Sequence, residues 1–288
     1  MKNIKARLSR MSFNKNQLKL TPAYIILIAF TVFMAYMLGW ILFASFSSTR
    51  GIFTGNLFQD GLNLDSYRQI FFNSNGLLTI FNTLIYTVPS SLLLIIICAP
   101  AAYVLARFEF KGNKLTQQLM VIALSVPGIM ITMPLFFHFS SLGVHDSRLV
   151  IILLFTANSI PFDVYFLTAY YKNLSYSYEE SAAIDGAGPL RTFWEIMFPM
   201  AKPAIITITI FNLIGKWNAY FLPLIFANTP GMRPVGVWLE TTITSMITTG
   251  NYSGMFAAVV LAASPTIILY FFLANRLLQG VEQNGVKG

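Results

Sequence analysis

The chain has 288 residues, of which 56% are apolar and only 10% charged, with a formal net charge of +8. That balance lies outside the range of soluble domains and inside that of polytopic membrane proteins, so one helical bundle is expected rather than the two soluble domains length alone would suggest. The positive charge sits in the tail and in inter-helix segments rather than along one face, which argues for a membrane-orientation signal and against nucleic-acid binding.

Residues 1–21 carry Lys2, Lys5, Arg7, Arg10, Lys15 and Lys19 without an acidic residue, and read as a cytoplasmic N-terminal tail. Six apolar runs follow within residues 22–276. The first, Pro22–Phe46, is too long for a signal-peptide core and has no A-x-A site after it, so it reads as a retained span. In the polar stretch Ser47–Asn75, Leu64, Tyr67, Ile70 and Phe71 are spaced as one face of a short surface helix. The second run, Leu77–Ala106, contains Pro89 and Pro100 and is expected to bend. It ends in a basic turn with Arg107, Lys111 and Lys114. The third, Leu119–Leu142, holds Pro127, Gly128 and Pro134, predicting a kinked helix. Leu149–Tyr170 is the fourth, with Asp163 near Pro161. Ala204–Phe226 is the fifth, with Lys216 to Pro223 in its outer half, and Met255–Leu273 the sixth. Residues 277–288 form a C-terminal tail.

Six spans place both termini on one side. Lys and Arg number fourteen in the segments of that side against four (Arg50, Arg68, Arg148, Arg233) on the other, which predicts N-in, C-in. No internal repeat is evident, a mild argument against inverted-repeat secondary transporters.

Between the fourth and fifth runs lies the most charged interval after the N-terminal tail, with Glu179, Glu180, Asp185, Arg191, Glu195 and Lys202. Ser177 and Glu180 have capping-box spacing, predicting a helix that starts there and carries Ala182, Ala183 and Ile184 as a low-relief surface for another protein. Gly186 ends it, since glycine accepts a left-handed backbone freely. Pro189 suits the first turn of a second helix whose apolar face is Phe193, Ile196, Met197 and Met200. The stretch therefore reads as a helix-turn-helix at the membrane surface.

Glu180-Ser181-Ala182, Asp185-Gly186-Ala187, Ile196, Pro199 and Pro203 resemble the cytoplasmic "EAA" loop of ABC-importer permeases, most nearly the maltose-type carbohydrate importers. Ser181 stands where the first alanine is usual, and the proline often found before the loop is missing at Leu174-Ser175. Tyr103–Lys114 is similar to the family's second cytoplasmic loop, Lys216–Pro223 to its Trp-Asn segment, and the ending Gly285–Gly288 to its smaller permease subunit. The resemblance implies an all-α, six-span permease with a coupling loop over about residues 174–203, in which Glu179, Glu180, Ser181, Ala182, Asp185, Gly186, Ala187 and Gly188 face an ATPase. It implies as partners a second, non-identical permease, a cytoplasmic ATPase dimer holding the ATP and Mg, and an external solute-binding protein. The implied cargo is a carbohydrate, an oligosaccharide by the nearest resemblance, and the implied location a prokaryotic cytoplasmic membrane.

The chemistry of the sequence fits a non-catalytic subunit. No G-x-x-x-x-G-K-[ST], H-E-x-x-H, G-x-S-x-G or cysteine cluster occurs, and Cys98 has no partner in the chain. His138 and His145 lack companions at ligand spacing, so no metal site is expected. Asp163 and Lys216 are ionisable residues in apolar runs, where each costs about 2.5–3.5 kcal/mol at a helix centre. Together with Trp217, Asn218 and Tyr220 they are candidates to line a substrate path. Competing readings are snorkelling for Lys216, a hydrogen-bonded helix contact for Asp163, and an interfacial aromatic belt for the rest. An ion-coupled secondary transporter with Asp163 as coupling carboxylate is the alternative from another class, and it leaves the charged loop unexplained.

Overall fold

The computed structural model describes the backbone of residues 15–285 and side-chain surroundings from 20 to 271, residue 73 excepted. The tail assigned to residues 1–21 lies mostly outside the described residues, as do residues 286–288. Among the described residues the secondary structure is helical and contains no strand. The helices that frame the functional regions are α1 (Lys15–Ser45), α2 (Thr49–Thr54), α3 (Asp65–Arg68), α4 (Gly76–Arg107), α5 (Asn113–Leu124), α6 (Gly128–Ser141) and α7 (Arg148–Asn173). After them come α8 (Ser177–Ile184), α9 (Pro189–Met200), α10 (Lys202–Trp217), α11 (Phe221–Phe226), α12 (Val235–Thr249) and α13 (Tyr252–Gly285).

Among the described residues four helices are each long and apolar enough to cross a membrane, and two bent pairs, α5 with α6 and α9 with α10, raise the number to as many as six. The predicted third run is thus broken rather than kinked: α5 and α6 meet at 96°. Pro127 has no N–H to give to the preceding turn and holds an extended conformation (φ −61, ψ 123) before α6 begins. The fifth run is also interrupted, α10 stopping at Trp217 and α11 starting at Phe221, with Pro223 in the first turn of α11. By contrast α4 passes unbroken through Pro89 and Pro100. The sixth helix continues well past Leu273, to Gly285, where a tail was expected.

The packing is organised by α4, which lies along α7 and also touches α10 and α12. One core cluster joins Leu94, Cys98 and Ala102 of α4, Leu167 and Tyr171 of α7, Phe193 and Met197 of α9 and Ile208 of α10. Fully buried Ala99, Ala102, Ala201 and Ala204 let these backbones approach closely, the usual device where lipid removes the hydrophobic drive between helices. A second cluster at the opposite end joins Tyr86, Ile151, Phe155 and Phe226. In the third, Ile70 from the π turn after α3 meets Trp238 of α12 and Ala257, Ala258 and Leu261 of α13. On the surface helix Ile70 is fully buried and Leu64 is 62% exposed, so the predicted face holds at Ile70 and fails at Leu64, which precedes the helix as its N-cap.

Helix α12 was not legible as an apolar run. It is held by a polar network instead: Asn82 donates to the Gly231 and Arg233 carbonyls (2.8 and 3.2 Å), Tyr86 donates to the Met232 carbonyl (2.7 Å), and the Val235 N–H donates to Thr83 (2.8 Å). Gly236 permits its close seating, because a Cβ there would stand 2.5 Å from the Ala219 carbonyl oxygen.

Candidate coupling loop and buried polar cavity

Helix α8 starts at Ser177 as expected, but not through a capping box. The N-cap position is Tyr176, already in a helical conformation (φ −64, ψ −22), so Ser177 lies inside the first turn where its hydroxyl cannot reach the N3 amide. Ser175 takes that role in part, accepting from the Ser177 N–H at 3.3 Å and pairing with the Ser177 hydroxyl at 2.8 Å. The exit is as predicted. Gly186 has φ +76, the Gly186 N–H donates to Ala183 (3.1 Å) and the Ala187 N–H reaches back to Ala182 (2.9 Å), the bonding of a glycine-terminated helix. Pro189 opens α9 at its first turn.

Of the residues assigned to the ATPase face, Glu180, Ser181, Asp185, Gly186 and Gly188 are exposed and Ala187 is half-buried. Ala182 is only 3% exposed and belongs to this chain's own packing, not to the open low-relief surface expected of it. Glu179 also turns inward. Its carboxylate stands 3.0 Å from Arg107 Nε and accepts from the Tyr103 hydroxyl at 2.8 Å. Arg107 donates through Nη2 to the Leu174 carbonyl (2.8 Å) and lies over the Tyr176 ring, 4.2 Å from its centre. The Tyr103 ring meets Phe193 of α9 at 5.2 Å. Both arms of the helix-turn-helix are therefore seated on the last turns of α4.

Sequence reasoning missed this seat, reading Arg107 only as one of several basic residues after a span. It also missed what the loop presents outward. Ile184, Leu190 and Trp194 are 86%, 78% and 53% exposed, three large apolar side chains in the loop that also carries Arg191 and Glu195, which pair at 2.8 Å on the solvent side. Exposed apolar groups rimmed by charge are the mark of a protein-docking surface. On that exposed rim the hydrogen bond from Arg191 to Glu195, and the carboxylate's charge, hold the guanidinium above its ordinary range.

The path candidates fall into two places. Asp163 (α7) and Lys216 (α10) border one cavity of about 340 Å³ together with Asn158, Ser159 and Asn212. Asp163 is fully buried and accepts from Asn212 Nδ2 at 2.7 Å, while Lys216 is 6% exposed. The second carboxylate oxygen of Asp163 and the Lys216 ammonium are buried without a hydrogen-bond partner in the chain. The two opposite charges act on each other across the wall of this cavity, and each keeps hydrogen-bonding capacity that a polar ligand reaching it could use. Asn212 went unnoticed, although a lone amide in the run Ile208–Ile214 was a signal of the same kind as Asp163.

Trp217, Asn218 and Tyr220 border a different cavity, of about 470 Å³, with Gly236, Leu239 and Glu240 of α12. Trp217 is 4% exposed and donates from its indole N–H to the Ala262 carbonyl at 3.0 Å. Asn218 donates to the Ile214 carbonyl at 2.9 Å and so serves the end of α10.

Comparison with known proteins bears on the chain as a whole. Over residues 68–283 the chain matches the family described as binding-protein-dependent transport system inner membrane component. It is 29% identical to the diacetylchitobiose uptake system permease protein NgcG of Streptomyces coelicolor, over 96% of this chain and 92% of that protein. It is 25% identical to the trehalose transport system permease protein SugB of Mycobacterium tuberculosis, over 86% of this chain and 91% of that one. Among solved structures, a chain of a bacterial ABC transporter involved in the import of the acidic polysaccharide alginate superposes with a TM-score of 0.79 at 25% identity, covering 91% of this chain and 97% of its own. With most of its length inside that match, the chain belongs to the family of inner membrane components of binding-protein-dependent transport systems.

Proposed function

We propose that this chain is one of two non-identical permease subunits of a carbohydrate importer, working with an external solute-binding protein and a cytoplasmic ATPase dimer that carries the ATP and Mg. Relatives that take up diacetylchitobiose and trehalose, and a structural neighbour that imports alginate, support the carbohydrate reading. In this reading α5 with α6 makes one bent span, while the other bent pair is divided, α9 lying in the loop at the membrane surface and α10, continued by α11, making the fifth span. The chain then crosses the cytoplasmic membrane six times with both ends inside.

The observation that carries the proposal is the seating of the loop: α8 and α9 are held to α4 on one side by Glu179, Arg107, Tyr103 and Phe193, and show Ile184, Leu190 and Trp194 on the other. ATPase closure pressing on the exposed side moves α4, and with it the α7 and α10 walls of the Asp163 cavity. This is a population shift between outward- and inward-open states, driven through one rigid element. Asp163, Lys216 and Asn212 line the path in this reading, and Asn218 and Tyr220 border its flank.

The test is purification of the tagged chain followed by reconstitution. Co-purifying ATPase and second permease, with sugar uptake that requires ATP and the binding protein, are the expected result. Uptake by this chain alone, driven by an ion gradient, would overturn it in favour of coupling through Asp163.

A further inference from the structure

An amphipathic cavity at the root of the loop shares no lining residue with the Asp163 cavity. Between α5 and α7 runs an open groove of about 440 Å³ whose walls are Met120, Val121, Ile122, Val164 and Ala169, with Gln117 and Lys172 at one end. There it meets a polar cavity of about 770 Å³ that shares Gln117 and Lys172 and is bounded by Arg107, Lys114 and Tyr176. Apolar slot and polar vestibule thus adjoin at Gln117 and Lys172.

The vestibule has unanswered positive charge. Lys172 donates to the neutral Gln117 amide oxygen at 2.7 Å, and among the described residues neither it nor Lys114 forms an ion pair. Arg107 is engaged by Glu179, yet its Nη1 is buried without a hydrogen-bond partner, in a side chain only 2% exposed. The remaining charged group on the wall is the Glu109 carboxylate, so with Arg107 answered by Glu179 the two lysines leave one net positive charge in the vestibule.

We infer that this composite cavity binds an anionic phospholipid, one acyl chain lying in the α5/α7 groove and the phosphate facing Lys172 and Lys114. The inference rests on the proposed orientation, which puts this end of the bundle at the cytoplasmic leaflet. A basic pocket between helices at that depth meets the phosphate of a lipid whose chains already surround the groove. A soluble anion would leave the slot unused, and an apolar segment of the partner permease would leave Lys114 and Lys172 unanswered. Lys172 lies in the last turn of α7, and Arg107 holds the Leu174 carbonyl just beyond it, so the lipid sits where the coupling loop begins.

The experiment uses the assembled importer, delipidated in detergent and then incubated with equal phosphatidylglycerol and phosphatidylcholine, with retained lipid read by native mass spectrometry. Phosphatidylglycerol is expected to be enriched about five-fold for each of the two lysines, and Lys114→Gln with Lys172→Gln should abolish the preference. A bimane at position 120 (Met120→Cys in Cys98→Ala) should be quenched by phosphatidylglycerol carrying brominated chains. Equal retention of both lipids, or selectivity that survives the double substitution, overturns the site. Phosphatidylglycerol displaced by millimolar inorganic phosphate without bimane quenching would show an anion site and no lipid. A bimane shielded from lipid in the assembled importer would show that the partner permease fills the groove. ATP-driven uptake in the same preparation separates the two readings: lost lipid selectivity with intact uptake sinks only the lipid site.

Discussion

Glu179 of the loop and Arg107 at the end of α4 stand 3.0 Å apart, with side-chain exposures of 18% and 2%. The pair ties a surface helix to a span across 71 intervening positions of chain, and the Arg107 guanidinium is held away from water. Removing one member of such a pair costs about 3–5 kcal/mol, whereas replacing both by apolar groups is often neutral. Glu179→Ala should therefore lower the melting temperature of the purified subunit assembly more than Arg107→Met combined with Glu179→Leu. A double-mutant cycle should return a coupling of about 1–3 kcal/mol, and additive effects would show that the pair is not a clamp.

Gly186 separates docking from folding. Its φ of +76 costs a substituted residue about 1–2 kcal/mol, and nothing lies within 4 Å of where a Cβ would be, so Gly186→Leu should insert and fold. The same open space is where the ATPase would close on the turn. Pull-down of the ATPase and binding-protein-stimulated hydrolysis should both fall in Gly186→Leu, and fall less in Gly186→Asn, which tolerates the left-handed backbone. Normal values in Gly186→Leu would show that this turn does not couple.

The loop was legible because its signals are local. Gly186 and Pro189 stop and restart a helix by backbone rules alone, and Phe193 and Met197 share a face in an α or a π turn alike. What escaped depends on pairing across the bundle. Nothing in Arg107 distinguishes it from Lys111 or Lys114 until α4 meets α8, and nothing orients Glu179 inward and Glu180 outward until α8 is docked. Helix α12 escaped for a different reason. Its 15 residues include Thr241, Thr242, Thr244, Thr248 and Thr249, and several of their hydroxyls bond back to helix carbonyls, a satisfaction that hydropathy does not register.

The Asp163 cavity should tolerate neutralisation of its charges better than loss of the amide between its walls. Asn212→Leu deletes the 2.7 Å bond to Asp163 and leaves a fully buried carboxylate without its one donor, a loss of about 1.5–3 kcal/mol. Asp163→Asn keeps the shape and should leave assembly and basal ATPase intact. If the cavity lies on the path, Asp163→Asn and Lys216→Met should each reduce uptake at least several-fold while thermal stability holds. Unchanged uptake in both would return the two residues to a purely structural role.

Topology is the remaining prediction, and the structure selects its probes. Leu62 is 74% and Leu190 78% exposed, Lys111 and Thr249 are exposed as well, and none of the four has a left-handed backbone that a cysteine would strain. Thr192, two residues from Leu190, is 5% exposed and would report burial instead of sidedness. The endogenous Cys98 is buried in the core and can be replaced by alanine, which nearly matches its volume. In right-side-out vesicles an impermeant maleimide should label cysteines at 62 and 249 and leave those at 111 and 190 unlabelled until the membrane is opened. Charge asymmetry sets this expectation, with fourteen Lys and Arg in the segments on the side of the loop against four in those opposite. External labelling at 190 would put the exposed Ile184, Leu190 and Trp194 on the wrong side of the membrane for a cytoplasmic ATPase, and with that the coupling role of the loop would fall.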